Sequence, residues 1–527
     1  MVDRVKSCDG QTLHDVSRSF ANFLALANSA ENHHRIRKLK TSLLSENAQF
    51  GLSPKLDSCG GSISDLIKKK GIDAKKLINS LHNQTVEIVL TAHPTEVNRK
   101  TMLTKLNHVK HILDQSDRPD LTNYDKKLLY QQLNADIASI WNSDFLRRRK
   151  PTPVMEARTG LDVVENVLWR AVPNFLRKLD DISRSELKQP LSLNFAPIKL
   201  ASWMGGDRDG NPNVTPEVTL AVSMMSRNLA ATLLKADMSE LKAQLSVDHC
   251  SDEMRALVGD KREPYRELLQ GLEARLQATI DWTEPYLTNS TDKSNDIRTG
   301  AHVKDTATPP LKVTKELMEP LLLMHRSLEE TGLGALADGA LADTIRRVAA
   351  FGLSLMPLDI RQESTRHSEA LDAITKFLGV GSYLQWDEAE RRRWLQQELQ
   401  SKRPLLPRNF RYEDHQGIFT PTVVDTLRTF EVAASLEDGS FGAYVISQCQ
   451  QASDILAVVL LQQDAGVTPR LRVAPLFETL DDLERSEDTV EALFGMPVYR
   501  ELIAGKQEIM VGYSDSAKVL LHADPVP

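Results

Sequence analysis

Four cysteines stand in 527 residues, at Cys8, Cys59, Cys250 and Cys449, and they share no paired spacing. That excludes a zinc ribbon and a disulfide framework and fits a reducing compartment. No run of about 18 apolar residues occurs, so nothing is expected to span a membrane. The opening MVDRVKSCDGQTLHD is polar and has no apolar signal core. The expected location is the cytoplasm, with a targeting segment lost from the start as the alternative. Positive charge is not in excess: the formal net charge is −7, and no basic block is long enough to follow a nucleic acid backbone. The P-loop, the dinucleotide fingerprint, HExxH and CxxC are all missing. The hard chemistry must therefore come from carboxylates, a divalent ion, basic groups and a histidine. What is present, 41% hydrophobic and 26% charged residues, is the composition of a soluble globular protein.

Most of the chain shows helical periodicity. LHDVSRSFANFLALANSAENHHRIRKL and LDVVENVLWRAVPNFLRKLDDI carry apolar residues at three-and-four spacing. Pro173 predicts a kink in the second, and adjacent His33 and His34 in the first are expected to be solvated. The doubled GALADGALAD is a local echo before a helix. Arg147 to Lys150 is expected to be a solvated helix end, with an anion contact as the alternative. Residues 287–310 are polar, end in a proline pair and predict a surface loop. Against this background six short apolar runs predict strands: 86–92, 195–203, 353–361, 441–449, 472–478 and 508–515. The long helical stretches between most of them favour parallel pairing through crossovers.

The densest chemistry is WMGGDRDGNPNVT, from Trp203 to Thr215, where Gly205, Gly206 and Gly210 flank Asp207-Arg208-Asp209. Glycine permits positive φ and close backbone approach, and a charged loop past a buried strand is where α/β enzymes keep their sites. Polar groups stand at the ends of four of the other five runs too: His93, Arg361, Glu478 and Asp515. In a parallel barrel all strand C-termini open on one face, so these groups would converge there. His93, held extended by Pro94, suits proton transfer or a phosphate contact, or is a satisfied histidine at a strand end. Glu478 and Asp515 offer oxygen-only ligands suited to Mg²⁺ or Mn²⁺; helix capping, the alternative, is better served by Asp481 and Asp482. Arg361 is either an anion clamp or a buried partner of Asp359 or Glu363. Lys518 either neutralises an oxyanion or is solvated. The set fits the handling of a phosphorylated carboxylic acid.

Together LTAHPTE, WMGGDRDGNPNVT, LDIRQESTRH, APLFETLDDL and VGYSDSAK, in this order, resemble phosphoenolpyruvate carboxylase over nearly the whole chain. The resemblance implies a mostly helical protein around a (β/α)₈ TIM-type barrel, forming one carboxylase domain over 1–527. It implies the anaplerotic reaction of phosphoenolpyruvate with bicarbonate to give oxaloacetate, which feeds the tricarboxylic acid cycle, and phosphate. It also implies Mg²⁺ or Mn²⁺, allosteric control and a homotetramer. On the matching motifs, Glu478 and Asp515 would hold the metal and Arg361 the substrate phosphate. His93 and Lys518 match the signature active-site positions, and Trp203, Leu476 and Met510 would form the apolar pocket for CO₂.

The sequence departs from the family pattern at both ends. Met1 enters close to a helix that the family reaches after a preceding helical segment. After Lys518 comes VLLHADPVP, with no FHGRGG-like string and no region for a feedback inhibitor. A barrel closes on eight strands, and six are counted here. The expectation is a chain that is unstable or inactive alone. Its alternative function is that of a truncated, non-catalytic homologue that binds full-length subunits or phosphoenolpyruvate without turnover.

Overall fold

Helices between short parallel strands make up the described chain. A computed structural model describes residues 9–45, 59–91, 99–144, 150–288, 308–401, 403–407 and 410–512. They fall into two compact units: Met1–Ile78, His93–Pro151 and Asp181–Gln189 in the first, Asn79–Ala92, Thr152–Asp180 and Pro190–Pro527 in the second.

The first unit is helical. Its helix Lys100–Ser116 sets Met102, Leu106, Val109 and Leu113 at three-and-four spacing, and with Ile140, Leu133 and Leu26 they form a small core. Thr122 caps the helix Asn123–Trp141 through a reciprocal capping box with Asp125. His33 does not meet the expectation of solvation. Its Nε2 lies 3.0 Å from Asp117, and its side chain is only 12% exposed. One turn on from His33, Arg37 reaches the same carboxylate at 3.4 Å. Packing of the helix Gly10–Ser45 against this acid withdraws His33 from water, while His34 stays exposed.

The second unit holds a curled, six-stranded, wholly parallel sheet in sequential order. The strands are β1 (Val86–Leu90), β2 (Ile198–Ser202), β3 (Leu358–Glu363), β4 (Phe441–Ser447), β5 (Arg472–Phe477) and β6 (Met510–Val511). Each lies in or across its predicted run. β4 is buried along nearly its whole length, as a strand covered on both faces must be. Tyr444 and Ile446 of β4, with Leu358 and Ile360 of β3, face a large core shared with the helices Ser364–Phe377, Pro421–Ser435 and Ala452–Ala465. Alternate residues Ala443, Val445, Ala474 and Leu476 form a separate buried cluster on the other face, with Met510 packed against it. Burying a leucine as fully as Leu476 is worth about 1.5–3 kcal/mol.

At Pro173, where the sequence predicts a kink, a side chain stands in for the missing helical donor. Pro173 sits inside the helix Trp169–Ile182, directly after the π-helical turn Val164–Leu168. A proline leaves the carbonyl four residues back without its helical donor. Here that carbonyl, of Trp169, accepts from Arg347 Nε at 3.0 Å. The GALADGALAD echo is itself helical, with a π turn at Ala337–Leu341. The polar stretch 287–310 begins two residues inside the helix Pro264–Thr288, and 289–307 lie outside the described residues. Of the basic run, 147–149 also lie outside them.

Candidate active site

The loop after β2 is strand-like, and that decides what its charges do. β2 meets β3 at Ser202↔Leu358, and the pairing resumes at an isolated parallel bridge, Asp207↔Arg361. Five steps on one chain thus span three on the other, and the surplus is taken up by a tight turn. The amides of Gly206 and Asp207 both donate to the Trp203 carbonyl at 2.9 Å. Beyond it, Arg361 donates its amide to the Gly206 carbonyl at 3.0 Å, and Arg208 donates to the Arg361 carbonyl at 2.9 Å. Gly206 allows this approach: a Cβ there would lie 2.0 Å from the Asp359 carbonyl oxygen. Gly205 turns the chain at φ +91°.

Because side chains alternate along an extended segment, Asp207 and Asp209 face one way and Arg208 the other. Arg361 donates Nε to Asp207 Oδ1 at 2.8 Å and Nη2 to Oδ2 at 3.1 Å, a bidentate pair, while Asp209 stands 3.6 Å from Nη2. The guanidinium lies over the Trp203 ring, 4.9 Å from its centroid. Burial disfavours its charge, but the hydrogen bonds and charge of Asp207, then the charges of Asp209 and Glu478, outweigh that and raise its pKa. The partner of Arg361 is therefore neither Asp359 nor Glu363. Arg208 turns into the helix layer, where it is 3% exposed at its side chain and pairs with Asp425 of the helix Pro421–Ser435. Burial there pulls its pKa down to about 10.

Asp359 sits beneath the mouth. Its Oδ1 accepts from the Ala443 amide at 2.7 Å and its Oδ2 from Trp203 Nε1 at 3.2 Å. Burial pushes this carboxyl up to about 6; Glu87 adds to the shift, and the two donors and Arg472 oppose it. Gly442 leaves room for it, since a Cβ at that position would come within 2.3 Å of Oδ1.

Glu478 follows the last residue of β5. The pairs Leu476↔Met510 and Phe477↔Val511 set it beside Gly512, where a Cβ would fall 2.5 Å from its Cγ. Leu476 and Met510 are thus cross-strand partners, whereas Trp203 stands at the end of β2, against Arg361 and Asp359. His93, Asp515 and Lys518 lie outside the described residues. Thr479 caps the helix Leu480–Phe494 with Asp482 in a capping box and Asp481 in its first turn, which leaves that duty off Glu478. Among the described residues no three acidic, histidine or cysteine side chains gather as a metal site, and no helix is long and apolar enough to cross a membrane.

Sequence reasoning passed over the pairing of Asp207 with Arg361, the burial of Arg208 and the clamp at Asp359. One signal was available: Asp-Arg-Asp after a strand alternates in sign at the strand period.

Residues 1–519 match the model of the phosphoenolpyruvate carboxylase family. A phosphoenolpyruvate carboxylase of Alcanivorax borkumensis is 43% identical over 520 residues, 98% of this chain and 56% of that protein. Those of Marinobacter nauticus and Acinetobacter baylyi are each 42% identical, over 503 and 504 residues, covering 95% of this chain and 54% of theirs. The chain spans about half the length of the curated relatives it matches.

Proposed function

The chain belongs to the phosphoenolpyruvate carboxylase family, and on that premise we propose that its strand-end site carboxylates phosphoenolpyruvate with bicarbonate, giving oxaloacetate and phosphate. The observation that carries this reading is the Arg361 guanidinium, held charged at the C-terminal end of β3 by Asp207, with the Glu478 carboxylate within its field.

The residues divide the work by their chemistry. Arg361 grips the substrate phosphate, for which a planar fork of donors is suited. Bicarbonate attacks phosphorus, and the products are carboxyphosphate and the enolate of pyruvate. His93 takes the carboxyphosphate proton, and Lys518 offsets charge on an oxyanion. Carboxyphosphate releases CO₂, and Trp203, Leu476 and Met510 keep it in dry surroundings, so that the enolate attacks carbon rather than taking a proton.

Glu478 and Asp515 fit a hard divalent cation: both are carboxylates, one directly after β5 and the other four residues after Val511, the last residue of the paired β6. Mg²⁺ or Mn²⁺ bound there supplies Lewis-acid stabilisation of developing negative charge. The closed (β/α)₈ barrel, cytoplasmic location, a homotetramer and allosteric control belong to the same proposal.

The test is direct. The protein is incubated with phosphoenolpyruvate, bicarbonate and Mg²⁺, and oxaloacetate is reduced by malate dehydrogenase with NADH. NADH oxidation that needs all three additions supports the proposal. Phosphate release without oxaloacetate contradicts it.

A further inference from the structure

Asp207 occupies two of the donors on which Arg361 would be expected to receive an anion. Nε and Nη2 both point to its carboxylate, and Nη1 makes no hydrogen bond among the described residues. The Trp203 ring covers one face of the guanidinium. Asp207 is itself fixed by the main-chain bridge to Arg361 and by the turn onto the Trp203 carbonyl. A planar group held by one edge and one face has few ways left to present itself. Its Nη side is then the edge a ligand can meet. A lysine in its place could not be gripped in this way, because an ammonium has no fork.

We propose that Asp207 is a positioning residue for substrate binding: its carboxylate sets the rotation of the Arg361 guanidinium and reserves the Nη1 side for the phosphate of phosphoenolpyruvate. The role rests on the carboxylase reading of the site. It is distinct from gripping substrate, because Asp207 is an anion and acts through Arg361. Asp209, farther from the same Nη2, supports the charge without setting the edge. Preorganising a donor before the ligand arrives spares the ordering cost at binding.

The experiment is a double-mutant cycle read by calorimetric binding of phosphoenolpyruvate with Mg²⁺ present, and by KM and kcat. Asp207→Asn keeps the size and removes the charge. It should weaken phosphoenolpyruvate binding about tenfold, chiefly in KM, as the loss of a charge-assisted pair does. In an Arg361→Lys background the same change should shift binding by less than about twofold, because the fork it orients is gone. Asp207→Glu, which retains a carboxylate, should recover part of the loss. It also carries the test if the asparagine variant fails to fold, since a twofold or smaller effect of Asp207→Glu with Arg361 present would argue against fixed geometry.

An Asp207→Asn protein that binds within twofold of wild type overturns the role. So does an equal loss in the two backgrounds, which would mark Asp207 as a support for the loop. Wild-type protein that does not bind phosphoenolpyruvate overturns the carboxylase reading and this role with it, whereas an Arg361→Lys protein that binds it equally well overturns this role alone, because a point charge then suffices.

Discussion

Arg472 on β5 donates to Glu87 on β1 at 3.1 Å, although three strands stand between them in the sheet. A flat sheet would separate β1 and β5 by four strand spacings of about 4.8 Å each. The contact therefore crosses a concave face, and Glu508 joins it from before β6, 2.9 Å from Arg472. Both charges sit at alternate positions within otherwise apolar strands, VEIVL and RVAPLF. Arg472→Met should lower stability by about 0.5–1 kcal/mol, since the arginine is half exposed. A double-mutant cycle with Glu87→Gln, read by urea unfolding, should return a coupling of that size; additivity would show that the pair adds nothing to the curl.

Gly206 tolerates no side chain. Its alanine variant would drive a methyl group into the Asp359 carbonyl oxygen, a backbone atom with nowhere to move. Destabilisation on the order of 3 kcal/mol is expected, together with loss of activity as Asp207 leaves Arg361. Gly210→Ala meets open space and serves as the control, its own φ of +66° making it mildly unfavourable. Equal melting temperatures for the two variants would contradict the contact.

Two buried groups give stability opposing pH slopes. Asp359 titrates near 6 in the fold against 3.8 unfolded, so its contribution is full below about pH 4 and is lost as pH rises to 6. His367 is wholly buried, bonded through Nε2 to the Tyr444 hydroxyl at 2.8 Å, and burial lowers its pKa to about 3 from 6.5. Its contribution is full above pH 6.5 and is lost as pH falls towards 3. Urea midpoints measured from pH 4 to 7.5 should show the deficit of Asp359→Asn shrinking as pH rises, and that of His367→Gln shrinking as pH falls. Profiles parallel to wild type would refute both assignments.

Glu478 is the described half of the proposed metal pair. Glu478→Gln keeps the size and gives up the negative charge, and should raise the Mg²⁺ concentration needed for half-maximal activity by about tenfold or more. Unchanged Mg²⁺ dependence would remove the residue from the metal site. Removal of the ion by EDTA should abolish turnover, and Mn²⁺ should restore it.

Substrate affinity should answer to the shape of Arg361 and not to its charge alone. Arg361→Lys is expected to weaken phosphoenolpyruvate binding by about 1.5–3 kcal/mol, roughly ten- to hundredfold, because a point charge replaces a fork. Calorimetry at fixed Mg²⁺ reads this directly, and equal affinity would show that charge suffices.

Much of the sheet was legible in the sequence because buried parallel strands are local apolar runs. The third run was placed early. Leu355 takes a left-handed φ of +50° and Pro357 follows, so the ladder begins only at Leu358. It then continues through Arg361, Gln362 and Glu363, polar residues that hide a strand. The site was half legible. Arg361 stood out as a charged group at a strand end, but its partner lies 154 residues away, and no periodicity reports such a distance. His33 was misjudged for the same reason, since Asp117 reaches it from another helix.

The surplus at the β2–β3 junction is two residues, and an even number matters. Deleting one residue from the turn would present the guanidinium of Arg208 where the carboxylates of Asp207 and Asp209 now stand, and bury two anions in the helix layer. The electrostatic sign of this mouth is therefore written in loop-length parity, and engineering that lengthens or trims the turn must proceed in steps of two.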